Sequence, residues 1–164
     1  MYCSGDYTLC RHNQRVGRMK VIPFHREHLN LIDARQQEAE GLLPFLNDAF
    51  LQVAEGLEHN YSLVEDGRII TCMGILPMWD GVYEVWQIPS TYVENYIKSY
   101  CKNVLGLLDS AAEKLDIWRM QTKSPADDLH DRWMKFIGFE CEGTLEKYSR
   151  FGKDYRMWRR IYGS

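Results

Sequence analysis

No apolar run in this chain approaches the roughly 20 residues that cross a bilayer, and the first residues lack the apolar centre of a signal peptide. A soluble, cytosolic protein without a membrane anchor is expected. An excess of one charge is also missing: 20 Lys and Arg stand against 23 Asp and Glu, a formal net charge of -3. That balance argues against a general nucleic-acid binder. Five cysteines, Cys3, Cys10, Cys72, Cys101 and Cys141, form no C-x-x-C and lie near no His pair, which argues against a disulfide scaffold or a structural zinc site. Cys72 and Cys141 in predicted strands and Cys101 in a predicted helix read as small buried apolar residues. His25 and His28 stand three apart but no carboxylate joins them at ligand spacing, so they read as surface or capping residues, and no metal is expected. The phosphate loop G-x-x-x-x-G-K-[ST], a G-x-G-x-x-G after a strand, the G-x-S-x-G elbow and H-E-x-x-H are all absent, which sets aside kinase, dehydrogenase and hydrolase readings.

What is present suits one domain. At 164 residues and 45% hydrophobic, the chain can bury about two thirds of its unfolded surface. Residues 1–18 show neither helical nor strand periodicity and read as a mobile extension, with Met19 a candidate natural start; residues 19–164 form the domain. A strand at 20–24 is followed by predicted helices over 26–40 and 43–57. Strands at 61–65, 68–77 and 82–88 are joined by Asp66-Gly67 and Asp80-Gly81, both strong hairpin signals. Val93, Ile97, Tyr100, Val104, Leu107, Leu108, Ala111 and Leu115 then recur at steps of three and four, the longest helix. A strand at 116–122 and a closing hairpin, 140–150 with 155–161 about Gly152, complete the order.

The most heavily specified stretch is SPADDLHDRWMKFIGF, residues 124–139. Ser124 suits the N-cap, Pro125 the first helical position, and Asp127 and Asp128 the positive end of the dipole. Lys135 in the last turn and Gly138 beyond it supply the stop. Leu129, Trp133, Phe136 and Ile137 share one face, which predicts packing against a sheet.

The order strand, helix, helix, three strands, helix, strand, helix, two strands resembles the GNAT superfamily of acyl-CoA N-acyltransferases. Within HDRWMKFIGF, the residues His130, Arg132, Trp133, Lys135 and Ile137-Gly138 resemble the internal virion protein A family of short-tailed bacteriophages, as does the aromatic and basic strand 155–162. The resemblance implies an α+β fold with a central mixed, mostly antiparallel, twisted sheet of about seven strands and helices on both faces. It also implies phage virion or head-assembly proteins as partners, and host cytoplasm and virion as locations.

A GNAT enzyme holds acetyl-CoA against the backbone of its fourth strand, here Val85, Trp86, Gln87 and Ile88. The pyrophosphate sits on N–H groups at the start of the next helix, where Thr91 and Asn95 fall. The family's Gly-containing loop is replaced by PSTYVEN: no glycine lets the backbone approach a pyrophosphate, and Glu94 adds negative charge. The family's usual acid, a Tyr four residues before the closing Gly, is Met134, which has no proton to give. A weak or absent acetyl-CoA site follows. His130 and Ser124 could substitute as proton donors, and Glu84 as the general base, since GNATs often carry a carboxylate there. Their plain structural readings are a polar helix edge for His130 and a solvent-facing strand residue for Glu84.

The five tryptophans read either as bulky core or, where exposed, as contact area for a partner. Arg150, Lys153, Arg156, Arg159 and Arg160 form the one basic concentration. On an exposed strand edge such cations discourage aggregation, which suits them better than a nucleic-acid site.

Overall fold

Asp66 and Gly67 both take the left-handed conformation, at φ 50° and 72°, and Gly81 does so at 72°. These are the backbone angles that tight hairpins between right-twisted strands require. The computed structural model describes residues 18–41 and 46–163. The elements are β1 (Lys20–Pro23), α1 (His28–Leu31), α2 (Gln36–Gly41), α3 (Asp48–Gly56), β2 (Asn60–Glu65), β3 (Arg68–Trp79), β4 (Val82–Pro89), a 3-10 turn (Val93–Tyr96), α4 (Ile97–Lys114), β5 (Arg119–Pro125), α5 (Asp128–Phe136), β6 (Glu140–Leu145) and β7 (Tyr155–Ile161). Seven strands form one mixed sheet in the order β1-β2-β3-β4-β5-β7-β6. β4 and β5 run parallel, while β1 with β2, β5 with β7 and β6 with β7 are antiparallel. The expected α+β class and strand count hold.

The chain divides into two compact units, residues 1–73 with 87–103 and residues 74–86 with 104–164. In the first, Phe24, Leu63, Ile70, Cys72, Ile88 and Tyr100 are buried. In the second, Ile75, Val82, Val104, Leu108, Met120 and Trp158 are buried, Trp158 completely. No helix among the described residues is long and apolar enough to cross a membrane. The expected mobile extension falls, except for Arg18, outside the described residues, as do residues 43–45 of the second predicted helix.

Several elements differ from expectation for identifiable reasons. The helix predicted over 26–40 is two short helices. Ile32 is extended at ψ 132°, Ala34 bridges to Ser90, and Arg35 N–H donates to Pro89 O. Pairing with the segment after β4 outweighs the helical pattern there. The second helix begins only at Asp48, where Asn47 caps it by accepting from Phe50 N–H at 2.9 Å. Ser124 is not the cap of α5: β5 stays paired with β7 through Ser124↔Arg156 and Pro125↔Tyr155, and Asp127 takes the cap, accepting from His130 N–H at 2.9 Å. The predicted sheet-facing stripe of α5 is also displaced. Met134 and Ile137 are buried, whereas Leu129 is 47% exposed, Phe136 59%, and Trp133 half-buried.

His28 is not on the surface. It is buried, with Nδ1 accepting from His25 N–H at 3.2 Å and lying 2.8 Å from Ser62 Oγ. Cys72 is buried as expected, Cys101 is half-buried, and Cys141 is exposed because β6 forms the sheet edge. Trp158 and Trp86 are core residues; Trp79 and Trp118 are more than half exposed.

Candidate functional site

The register of the parallel pair is short. It runs Val82↔Arg119, Tyr83↔Met120 and Glu84↔Gln121, although β4 continues to Pro89 and β5 to Pro125. At its end Thr122 Oγ1 donates to Val85 O at 2.8 Å, so a side chain meets the carbonyl just past the last paired residue. The same register places Glu84 among three polar neighbours on β5. Lys123 Nζ donates to Glu84 Oε1 at 3.0 Å and Gln121 Nε2 to Oε2 at 3.0 Å, while Arg119 Nε donates to Gln121 Oε1 at 3.0 Å. Burial works to lower the Lys123 ammonium, but its hydrogen bond to Glu84 and that carboxylate's charge carry it above its ordinary range. Glu84 is therefore half-buried and engaged on both oxygens rather than facing solvent alone. To take a proton from an amine it must exchange one of these partners.

His130 lies in the first turn of α5, and its Nδ1 is 2.8 Å from both carboxylate oxygens of Asp127. Burial alone would raise Asp127, but the hydrogen bonds from His130 N–H and Nδ1 outweigh it and hold the carboxyl below its ordinary value. An ionised carboxylate only accepts, so Nδ1 carries the proton and Nε2 is the nitrogen through which a proton can be exchanged. This is the arrangement of a carboxylate orienting a general acid–base. Ser124 is buried and serves the core: its Oγ accepts from Trp158 Nε1 at 2.8 Å and donates to Pro125 O at 3.4 Å. Glu84, His130 and Ser124 thus each have their own partners. Met134, where the resemblance to GNAT enzymes implies an acid, is buried.

The residues expected to meet a cofactor have structural partners. Val85, Trp86 and Ile88 are buried, Thr71 Oγ1 donates to Ile88 O at 3.1 Å, and Gln87 Nε2 donates to the Tyr100 hydroxyl. At the start of the following turn, Ser90 N–H donates to Ile70 O at 2.9 Å and Thr91 N–H to Asp33 O at 2.9 Å. Tyr92 N–H donates to Ser90 Oγ at 3.2 Å and Val93 N–H to Ser90 O at 3.4 Å. Thr91 Oγ1 donates to the Asp33 carboxylate at 2.9 Å, and Asn95 N–H donates to Tyr92 O at 3.0 Å. The N–H groups of Ser90, Thr91, Tyr92 and Val93 are engaged within the chain, and the carboxylates nearby are themselves taken up: Asp33 accepts from Thr91 Oγ1, and Glu94 lies 3.9 Å from Arg35, while Arg68 sits 4.5 Å over the Tyr92 ring. The residues present do not fit a tightly held pyrophosphate.

Sequence reasoning missed Asp127 as the partner of His130, although D-x-x-H at a helix start was a readable signal. It had no means to find Gln121 and Lys123 beside Glu84, or Asp33 beside Thr91, because each depends on pairing between distant segments. Of the basic concentration, Arg156 meets Asp131 at 2.8 Å, Arg159 meets Glu140 at 3.3 Å and Arg160 meets Asp109 at 2.7 Å; Arg150 lies over the Phe151 ring. Among the described residues, no group of three or more His, Cys, Asp or Glu could hold a metal ion.

No protein-family model and no curated protein matches the chain. Solved structures do resemble it. Ard1 from Thermoplasma volcanium aligns with a TM-score of 0.70 at 12% identity, covering 89% of this chain and 99% of that one. The ribosomal-protein-S5-alanine acetyltransferase from Vibrio fischeri aligns with a TM-score of 0.66 at 14% identity, over 90% and 95% of the two chains. A GNAT-family acetyltransferase from Bacillus anthracis aligns with a TM-score of 0.66 at 10% identity, over 90% and 96%. At such identities the likeness speaks for architecture alone: the chain has the fold of the GNAT acetyltransferases.

Proposed function

We propose that this is a bacteriophage GNAT-fold protein of the internal virion or head-assembly type, acting by binding rather than by turning over tightly held acetyl-CoA. The observation that carries the reading is the engaged set of N–H groups on Ser90, Thr91, Tyr92 and Val93. A pyrophosphate would have to break those bonds in a turn that has no glycine to let it approach. The sequence resemblance through His130, Arg132, Trp133, Lys135 and Ile137-Gly138 supports the phage assignment. Its partners are then virion or head-assembly proteins, and its locations the host cytoplasm and the virion.

The test is thermal unfolding with about 1 mM acetyl-CoA, with CoA and ATP as controls. A site with a dissociation constant near 10 μM would add roughly 2.7 kcal/mol, about 5 to 10 °C for a chain of this size. The expected result is no shift, together with recovery of the protein in purified virions or assembly intermediates. A shift with acetyl-CoA and not ATP, or absence from those particles, would overturn the reading.

A second reading, an acetyl-CoA-dependent N-acetyltransferase acting on a protein or small-molecule amine, is favoured by the Asp127–His130 pair and the short β4–β5 register. In it Glu84 accepts the proton of the attacking amine and His130 exchanges a proton through Nε2. Glu84→Gln and His130→Ala should then each lower turnover at least tenfold while the fold persists, and unchanged rates in both would dismiss them from the chemistry.

A further inference from the structure

Both histidines between β1 and α1 use their δ-nitrogens as acceptors. His28 Nδ1 accepts from His25 N–H at 3.2 Å, and His25 Nδ1 accepts from Glu27 N–H at 3.3 Å. A backbone N–H only donates, so neither Nδ1 holds a proton and each neutral ring carries its proton on Nε2. The Ser62 hydroxyl, 2.8 Å from His28 Nδ1, then donates to the same nitrogen, and the Cys72 thiol, 3.4 Å from Ser62 Oγ, donates to Ser62. The direction of this chain of bonds, from β3 through β2 into the turn, is set by a neutral His28.

The charges around the turn favour the other state. Glu55 on α3 accepts from Arg26 N–H and, at 3.2 Å, from Arg26 Nε, and its Oε1 lies 3.6 Å from His25 Nδ1. Asp48 lies 3.6 Å from Arg26, and Glu27 belongs to the turn itself. Burial alone would raise Glu55, but the bonds from Arg26 and the charge of His25 hold it below its ordinary value, so it stays ionised where histidines titrate. A proton on His28 Nδ1 displaces the His25 N–H and reverses Ser62 from donor to acceptor, while one on His25 Nδ1 turns that ring from Glu27 N–H to Glu55. The ring centres are 5.9 Å apart, so two charged rings also repel each other. We propose that the turn His25–His28 is a pH-sensitive latch, closed on β2 by neutral His28 and opened by protonation of His28 at Nδ1. This goes beyond the proposed function and does not rest on it.

Hydrogen exchange on the full chain at about pH 7.5 and 5.5, each rate divided by its intrinsic value, tests this. A histidine with the ordinary value near 6.5 in the open form multiplies the opening constant by about ten between those conditions. The N–H groups of His25, His28, Leu29, Asn30 and Ile32, all bonded within the turn and α1, should lose protection about tenfold. Little dependence on added denaturant would mark the opening as local. The effect should vanish in His28→Asn, whose side-chain oxygen accepts where Nδ1 does and does not titrate, and persist in His25→Asn, which keeps the backbone donor. Nitrogen NMR of the rings at about pH 7.5 should show His28 Nδ1 without a proton. Circular dichroism confirms that each variant is folded, and if His28→Asn is not, the wild-type profile, His25→Asn and the ring spectrum decide alone. Protection that is independent of pH, or that falls only together with the slowest amides of β5 and β7 as in global unfolding, would overturn the proposal. So would a loss that survives His28→Asn or disappears in His25→Asn, or a protonated Nδ1.

Discussion

Asp127 accepts two bonds from one residue, the His130 backbone N–H and the His130 ring, so cap and imidazole orientation share a single carboxylate. Asp127→Ala should lower stability by about 1 kcal/mol through loss of the cap, and Asp127→Asn by much less, in urea unfolding. In His130→Ala the ring's contribution disappears while the N–H remains, so the Asp127 carboxyl should titrate closer to its ordinary value by NMR. His28 carries a pH dependence of its own. Burial, then the neighbouring His25, depress it below its unfolded value near 6.5, while Glu27 and Glu55 pull the other way. The unfolded chain therefore binds more protons in that window, so stability should fall as pH drops through about 6.5 and level off below the folded value. Unfolding free energies between about pH 7.5 and 5 check this, and His28→Gln should flatten the slope. The sequence could show His28 as titratable but not as buried, since its burial depends on Ser62, 34 residues away.

At the scale of the element, local signals were legible where local chemistry decides. The turns at Asp66-Gly67 and Asp80-Gly81, the Gly138 stop and the long amphipathic helix all lie where periodicity and turn residues place them. They misled where a distant partner decides. Ser124 has the chemistry of a cap, yet β7 holds it in a strand and Trp158 uses its hydroxyl. Ser124→Ala should thus cost roughly 1 to 3 kcal/mol, because the buried Trp158 N–H loses its acceptor, and should leave the helicity of α5 unchanged. A helix-capping role would instead reduce the far-ultraviolet helical signal. The break at 32–35 has the same origin: the backbone of Asp33 and Arg35 hydrogen-bonds to Thr91 and Pro89, some 55 residues away.

For the whole molecule, the α+β class and the count of about seven strands came with the resemblance that the order of elements carries, whereas the position of β7 between β5 and β6 was not legible. Nor was the state of the phosphate-binding turn. Its missing glycines were readable, but the carbonyls of Ile70 and Asp33 that take up its N–H groups come from other segments. The sheet order has a bearing on synthesis as well. β7 follows both β5 and β6 in the chain but lies between them. β5 can pair with β4, but its other edge and the whole of β6 wait until residues 155–161 have left the ribosome, so the nascent chain exposes unpaired edges and the apolar surface destined to surround Trp158. A chain stalled or clipped before Tyr155 presents both edges at once, which makes it a substrate for chaperones and proteases rather than a smaller version of the same fold.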